Sequence, residues 1–222
     1  MPTADTKDKP IKLNTTAYCL LGLIELKPQS AYDLTKFLER SMLKYSLPRT
    51  PSQLYNEPKK LAKLGLVSTE TETRQGRERT EYHITPMGRE LLSEWLSQPG
   101  EAAKLEFKSL LKFYLTGASD PQALRDRIEE IKQQNLQEIR DVHAQISRFT
   151  AKGVILKEVA INAALTSRFA VGQIKARLQW VEEMQALLAE LPDEEDPESW
   201  AIEVYRQSQE DLKGLMDEYQ LD

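Results

Sequence analysis

The chain opens with apolar residues that run around a helix rather than along one side of it. From about Thr15 to Leu26, Ala17, Tyr18, Leu20, Leu21, Leu23 and Ile24 cover most of the circumference, which predicts a central helix packed on several sides. Asn14 is its cap, and Lys27-Pro28-Gln29 breaks it. Ser30 caps a second helix with Asp33 three positions on, a weak capping-box pattern, and its apolar stripe is Ala31, Leu34, Phe37 and Leu38. Ser41–Arg49 reads as a loop, because Pro48 pushes Leu47 out of helical geometry. In the next stretch, T-P-S-Q-L-Y-N-E-P-K-K-L-A-K-L-G-L-V, three signals agree on a helix start: Thr50 as cap, Pro51 at the first helical position, and Gln53 completing T-x-x-Q. Leu54, Pro58, Leu61 and Leu64 fall on one face, while Ser52, Gln53, Asn56, Lys59, Lys60 and Lys63 occupy the other. Gly65 supplies the left-handed residue that stops it. Pro58 removes the bond to the carbonyl of Leu54, so a bend is expected there.

After Leu66 the period changes from helical to alternating. Val67–Thr73 is rich in β-branched residues and Thr80–Ile84 alternates polar with apolar. Between them Arg74-Gln75-Gly76-Arg77-Glu78-Arg79 reads as a turn carrying three arginines, which predicts a β-hairpin with a basic tip. Thr85-Pro86 starts another helix with Leu91, Leu92, Trp95 and Leu96 on one face, and Ser97–Gly100 is a hinge. Leu105, Phe107, Leu110, Leu111, Tyr114 and Leu115 mark a short helix closed by Gly117. Ser119, Asp120 and Pro121 begin a helix of about thirty residues, roughly 45 Å long. Its seam is Leu124, Ile128, Ile131, Asn135, Ile139, Val142, Ile146 and Phe149, a coiled-coil-like spacing in which Asn135 can fix register. Beyond the Lys152-Gly153 break, a second long helix carries Ile155, Val159, Leu165, Phe169, Ile174, Leu178, Val181, Met184, Leu188 and Leu191. Pro192 ends it, Asp193–Asp196 is an acidic linker, and a last helix from about Glu198 carries Trp200, Val204, Leu212, Leu215 and Tyr219.

The order helix, helix, helix, hairpin, helix describes a winged helix-turn-helix unit, and charge adds to that picture. Net charge is −5 over 222 residues, against a generally adhesive nucleic-acid binder. Residues 1–96 nevertheless hold 15 Lys and Arg against 12 Asp and Glu, a net of +3, and the remainder holds 15 against 23, a net of −8. A locally basic element on an acidic body still attracts phosphate through its local field. Ser52, Gln53 and Asn56 have the chemistry to reach base edges, since Gln and Asn bond adenine in bidentate fashion. Lys59, Lys60 and Lys63 suit phosphate oxygens. Tyr55 suits a sugar or a phosphate, or else the core. Arg74, Arg77 and Arg79 suit the DNA backbone or a narrow minor groove, or else merely keep a turn soluble.

Composition narrows the function classes. With about 40% hydrophobic and 29% charged residues, the chain reads as mostly helical and able to bury a real core. The single cysteine, Cys19, lies in an apolar run, so it reads as a small buried hydrophobe and no multi-thiolate zinc site is expected. No apolar run reaches the roughly 18 residues of a membrane span, and the N-terminus has no apolar signal core. A cytoplasmic protein without membrane partners is expected. No metal, cofactor or catalytic constellation is expected either: His83 and His143 have no spaced partner, and no phosphate loop or nucleophile–base pair stands out. Trp95, Phe107, Phe113 and Tyr114 near the hinge are candidate pocket-lining residues, or plain core.

Four places resemble the PadR family of bacterial transcriptional regulators: A-Y-C-L-L-G-L-I, S-A-Y-D-L, the Thr50–Val67 stretch quoted above, and E-Y-H-I-T-P-M-G-R-E-L. Together they span about residues 14–96 in the family's order. Ala31 stands where that family usually has glycine, and Pro58 sits deeper in its helix than the common pattern. The short helix with E-F-K-S-L-L-K-F-Y-L and the two long helices are similar to the C-terminal region of VirA-activator-like members. The resemblance implies a dimeric repressor and an effector, a small molecule or a protein. By the resemblance Tyr32 takes the place of an aromatic of the second helix, and Tyr55 touches DNA.

The expected architecture is mainly α with a small β-hairpin wing. Residues 1–13 form a flexible arm, 14–98 a winged helix-turn-helix DNA-binding domain, 101–192 a long-helix dimerisation domain, and 197–222 a C-terminal helix extension. Leu124, Ile128, Ile131, Asn135, Ile139, Val142, Phe169, Leu178 and Val181 are expected at a homodimer interface, since a lone pair of long helices leaves apolar edges wet. The expected partner is double-stranded DNA with a pseudo-palindromic operator. A dimeric adaptor that uses the winged helix as a protein-docking surface is the alternative.

Overall fold

The computed structural model describes residues 11–46, 51–74, 77–116, 120–191 and 197–221. The arm up to residue 10, Pro48 with its neighbours, the Thr50 cap, residues 75–76 at the hairpin tip, Gly117, Ser119 and the stretch from Pro192 to Asp196 lie outside them, as do the side chains of Arg74 and Arg77. The chain divides into two compact units, residues 1–108 with 132–178, and residues 109–131 with 179–222.

The first unit begins with α1 (Thr15–Leu26), capped by Asn14, whose side chain accepts the amide of Ala17 at 2.9 Å. A two-residue strand, β1 (Gln29–Ser30), leads into α2 (Ala31–Arg40), where Ser30 and Asp33 form a reciprocal capping box. Next come α3 (Leu43–Ser46), α4 (Pro51–Lys63), β2 (Val67–Arg74), β3 (Arg77–Ile84) and α5 (Pro86–Ser97). Leu20, Leu21, Ile24, Leu34, Leu61 and Leu66 are fully buried where α1, α2, α4 and the sheet meet. Gly65 stops α4 with a positive φ, and the amides of Gly65 and Leu66 reach back to Ala62 O and Leu61 O, both at 3.0 Å. That is a Schellman stop, and it aims Leu66 directly into β2.

Several expectations change in this unit. Ser41–Arg49 is not all loop: Leu43–Ser46 makes one helical turn, because Met42 beside it is buried and Tyr45 packs on the same small cluster as Val142, Ala170 and Ile174. The break at Lys27–Gln29 hides a strand, and the sheet has three members in the order β1-β3-β2, with Gln29 opposite Tyr82. The hairpin is also longer than read. Arg79 lies within β3 opposite Glu72, not in the turn. The helix α4 runs from Pro51 to Lys63 with Pro58 inside it, and Leu64 and Leu96, expected on apolar faces, are exposed.

Two long helices, α7 (Pro121–Lys152) and α8 (Ala160–Ala189), contribute to both units, with a short 3-10 turn at Lys157–Val159 before α8. Their pairing is antiparallel in each. In the first unit Val142 packs with Ala170 and Ile174, and Arg177 bonds Glu138. In the second, Arg125 donates to Leu188 O at 3.1 Å. The seam of α7 differs from the expected one. Ile128, Ile131, Asn135, Val142 and Gln145 are buried while Ile139 is exposed, so the stripe passes through Glu138 rather than Ile139 and takes in Gln145 beside Ile146, which packs on the same cluster as Val142. Reading only apolar residues missed this register, because two of its positions are polar. On α8, Val181 is buried and Leu178 half-buried, but Leu165 and Phe169 are exposed.

The second unit holds α6 (Lys108–Leu115), the outer parts of α7 and α8, and α9 (Pro197–Tyr219). The short helix is shorter than expected: Leu105 and Phe107 precede α6, and neither α6 nor α9 buries a residue. Leu111, Tyr114, Leu115, Leu212, Leu215 and Tyr219 are exposed.

A candidate nucleic-acid interface on the fourth helix

The geometry of α4 divides its residues by side. Leu54, Pro58 and Leu61 are buried against α1 and α2. Ser52, Gln53, Tyr55, Asn56, Lys59, Lys60 and Lys63 are exposed, and all of them except Tyr55 line one shallow groove with Glu57. Tyr55 is 40% exposed and so is not core. Asn56 Nδ2 lies 3.4 Å from Ser52 Oγ, one turn back. No ion pair involves Lys59 or Lys63 among the described residues, whereas Lys60 Nζ sits 3.1 Å from Glu57 Oε1.

Glu57 is the residue that pattern reading passed over. It is only 7% exposed and accepts Asn14 Nδ2 at 2.9 Å through the oxygen that also receives Lys60. Asn14 therefore caps α1 with its oxygen and anchors α4 with its nitrogen. The signal was present in the spacing: Glu57 lies three after Leu54 and four before Leu61, so it falls on the apolar face. A carboxylate there needs partners.

The wing arginines are not equivalent. Arg79 Nη2 sits 2.7 Å from Asp33 Oδ2 and 3.0 Å from Glu81 Oε1. Its charge ties β3 to the start of α2, at the edge of a cleft of about 600 Å³ that Phe37 and Arg40 also line. Arg74 and Arg77 are backbone partners at the end of the hairpin ladder. His83 is half-buried, with Nε2 3.5 Å from Glu70 Oε2, and His143 is exposed. No group of three metal-ligating side chains occurs among the described residues. Within the first unit Trp95 stacks on Tyr18 at 4.6 Å; within the second Phe113 meets Trp180 edge-on at 5.9 Å, and Tyr114 is open.

Residues 20–94 match the transcriptional regulator PadR-like family. This part of the chain is a PadR-like regulator domain. The match runs from within α1 to within α5 and so contains α4 and the hairpin. The chain is also similar in fold to Bacillus subtilis PadR in complex with operator DNA, with 21% identity over 79% of this chain and 99% of that chain, at a TM-score of 0.68. The same protein in complex with p-coumaric acid gives 21% identity over 80% and 100%, with a TM-score of 0.64. The Vibrio cholerae virulence activator AphA gives 22% over 79% and 98%, with a TM-score of 0.63. No curated protein matches the chain in sequence. The family match stops short of α6–α9, so the VirA-activator-like character of the later helices does not follow from it.

Proposed function

We propose that the chain is a sequence-specific DNA-binding transcriptional regulator that works as a dimeric repressor in the cytoplasm and is not an enzyme. The observation that carries this is the split of α4: its apolar side is fixed in the core of a PadR-like domain while Ser52, Gln53, Tyr55 and Asn56 face outward beside three lysines. In this reading the short polar groups and Tyr55 read base edges in the major groove, and Lys59, Lys60 and Lys63 hold phosphates. Arg74 and Arg77 at the wing end follow the adjacent backbone. Arg79, committed to two carboxylates, contributes less. Residues 14–98 serve as the DNA-binding domain, residues 101–192 as the dimerisation region and residues 197–222 as an extension. Because the α7 seam is filled within the chain, Ile139, Leu165 and Phe169 become the surface for a second copy, rather than Ile128, Ile131, Asn135 or Val181. A twofold dimer would read a pseudo-palindrome with half-sites about one helical turn apart, or a multiple of it. An effector, as p-coumaric acid binds Bacillus subtilis PadR, would then change the spacing of the two heads.

No helix among the described residues is long and apolar enough to cross a membrane, which fits a regulator that meets DNA. The test is selection of bound duplexes from a random pool by the full chain. Enrichment of one pseudo-palindrome supports the proposal. Failure to enrich any sequence, with retention of a protein partner instead, would favour an adaptor role.

A further inference from the structure

The stripe of α9 has a period of its own. Ala201, Tyr205, Ser208, Leu212, Leu215 and Tyr219 are spaced 4-3-4-3-4, the spacing of a helix-pairing seam. It is open: Tyr205, Leu212 and Tyr219 are each 61% to 75% exposed, and Ile202 and Met216 flank it half-exposed. Ala201, at the start of the stripe, and Trp200 and Val204, on the opposite flank, turn partly inward. Taking roughly 200 Å² for a fully exposed large side chain, the apolar members present about 650 Å² per chain. Covering that area twice over would bury about 1,300 Å², within the range of specific interfaces.

We propose that α9 pairs antiparallel with α9 of a second copy of this chain. Residue size selects both the occupant and the direction. Turned antiparallel about a twofold axis level with Glu210, the six seam positions meet one another without remainder. Ala201 falls opposite Tyr219 of the second copy, Tyr205 opposite Leu215, and Ser208 opposite Leu212. Every layer then pairs a smaller side chain with a larger one. A parallel pair would instead set Ala201 on Ala201, Ser208 on Ser208 and Tyr205 on Tyr205, alternating voids with crowding, both of which destabilise. The flanks agree. The antiparallel arrangement brings Ile202 onto Met216 and Gln209 onto Gln209, which gives the flanking apolar residues a use. It leaves one unfavourable contact, Asp211 against Asp211, near the axis. The inference does not depend on the DNA-binding reading, since it rests on α9 alone.

Cross-linking of the full chain tests this. In a Cys19→Ala background, which removes the only native thiol, Ser208→Cys and Leu212→Cys chains are prepared separately. Each is oxidised alone, and then the two are oxidised as a mixture, with helicity checked by circular dichroism. Interchain disulfides in the mixture and not in either sample alone are expected, because only the 208–212 pairing comes within disulfide reach. Linkage of either variant by itself would show a parallel pair and overturn the proposal. No linkage in any sample overturns it as well. Sedimentation supplies a second readout. Leu212→Glu with Leu215→Glu should weaken self-association at least tenfold, and Asp211→Asn should strengthen it about fivefold at low salt. An unchanged association in both variants means α9 does not join copies.

Discussion

Adding one methyl group at Gly88 should disturb the support of α4 without touching α4 itself. A Cβ there would lie 2.2 Å from the carbonyl oxygen of Leu66 and 2.9 Å from Ile84 Cγ1. The first distance is more than 1 Å inside ordinary contact, and the obstacle is backbone, so the strand or the helix has to move. That carbonyl accepts both the amide and the hydroxyl of Thr85 at 3.1 Å, and the same hydroxyl caps α5 by accepting Gly88 N–H at 3.1 Å. Leu66 directly follows the Gly65 stop of α4, so any shift is passed to the end of that helix. Overpacking costs about 1–3 kcal/mol, and each hydrogen bond lost adds about 1 kcal/mol. Gly88→Ala should therefore destabilise the N-terminal unit by about 3–4 kcal/mol, lowering its melting temperature by about 6–15 °C. Urea titration followed by tryptophan fluorescence reads this, because Trp95 on α5 stacks on Tyr18 of α1. Gly172→Ala is the control. Nothing lies within 4 Å of its added Cβ, so within α8 it should stabilise by about 0.5–1 kcal/mol. A Gly88→Ala protein within 0.5 kcal/mol of the parent would refute the close-approach reasoning.

Asn14→Ala removes the α1 cap and one partner of buried Glu57 together, and should cost about 2 kcal/mol in the same titration. Asn14→Ser, which keeps a cap but cannot reach Glu57, should recover part of that loss. Burial raises the Tyr82 hydroxyl above its ordinary value of 10.0. The neutral phenol is thus favoured in the folded state, so this stabilisation is present below pH 10 and lost as pH rises beyond it. Tyr82→Phe should flatten the alkaline limb of stability against pH. Arg79→Ala breaks contacts to Asp33 and Glu81 that are partly exposed, so it should cost under about 1 kcal/mol. It should also change the salt dependence of DNA binding less than loss of any one α4 lysine.

Local rules were enough for several of the helix starts and stops. Asn14, the Ser30–Asp33 box, Thr85 and Gly65 are visible as short sequence signals and do the same work in the fold. Sequence fell short where tertiary partners decide. Gln29–Ser30 is a strand only because β3 lies beside it. Leu43–Ser46 is helical where a buried Met42 needs anchoring, and residues 142–174 supply the anchor. The α7 seam was misread for the opposite reason. Polar Glu138 and Gln145 occupy seam positions, Arg177 answers Glu138 from α8, and an apolar-only count steps to Ile139. The division of α4 into two faces was legible from spacing, whereas the Asn14–Glu57–Lys60 chain was not, since it joins residues 43 positions apart.

Salt dependence of binding to a selected duplex separates an α4 that grips phosphates from one that does not touch DNA. With Lys59, Lys60 and Lys63 on phosphates, each contact contributes about 0.9 to the slope of log affinity against log salt. Lys59→Ala, Lys60→Ala and Lys63→Ala combined should lower that slope by about 2–3 and weaken binding to all sequences alike. Parent and triple variant with the same slope and the same affinity would contradict the assignment of α4 to DNA.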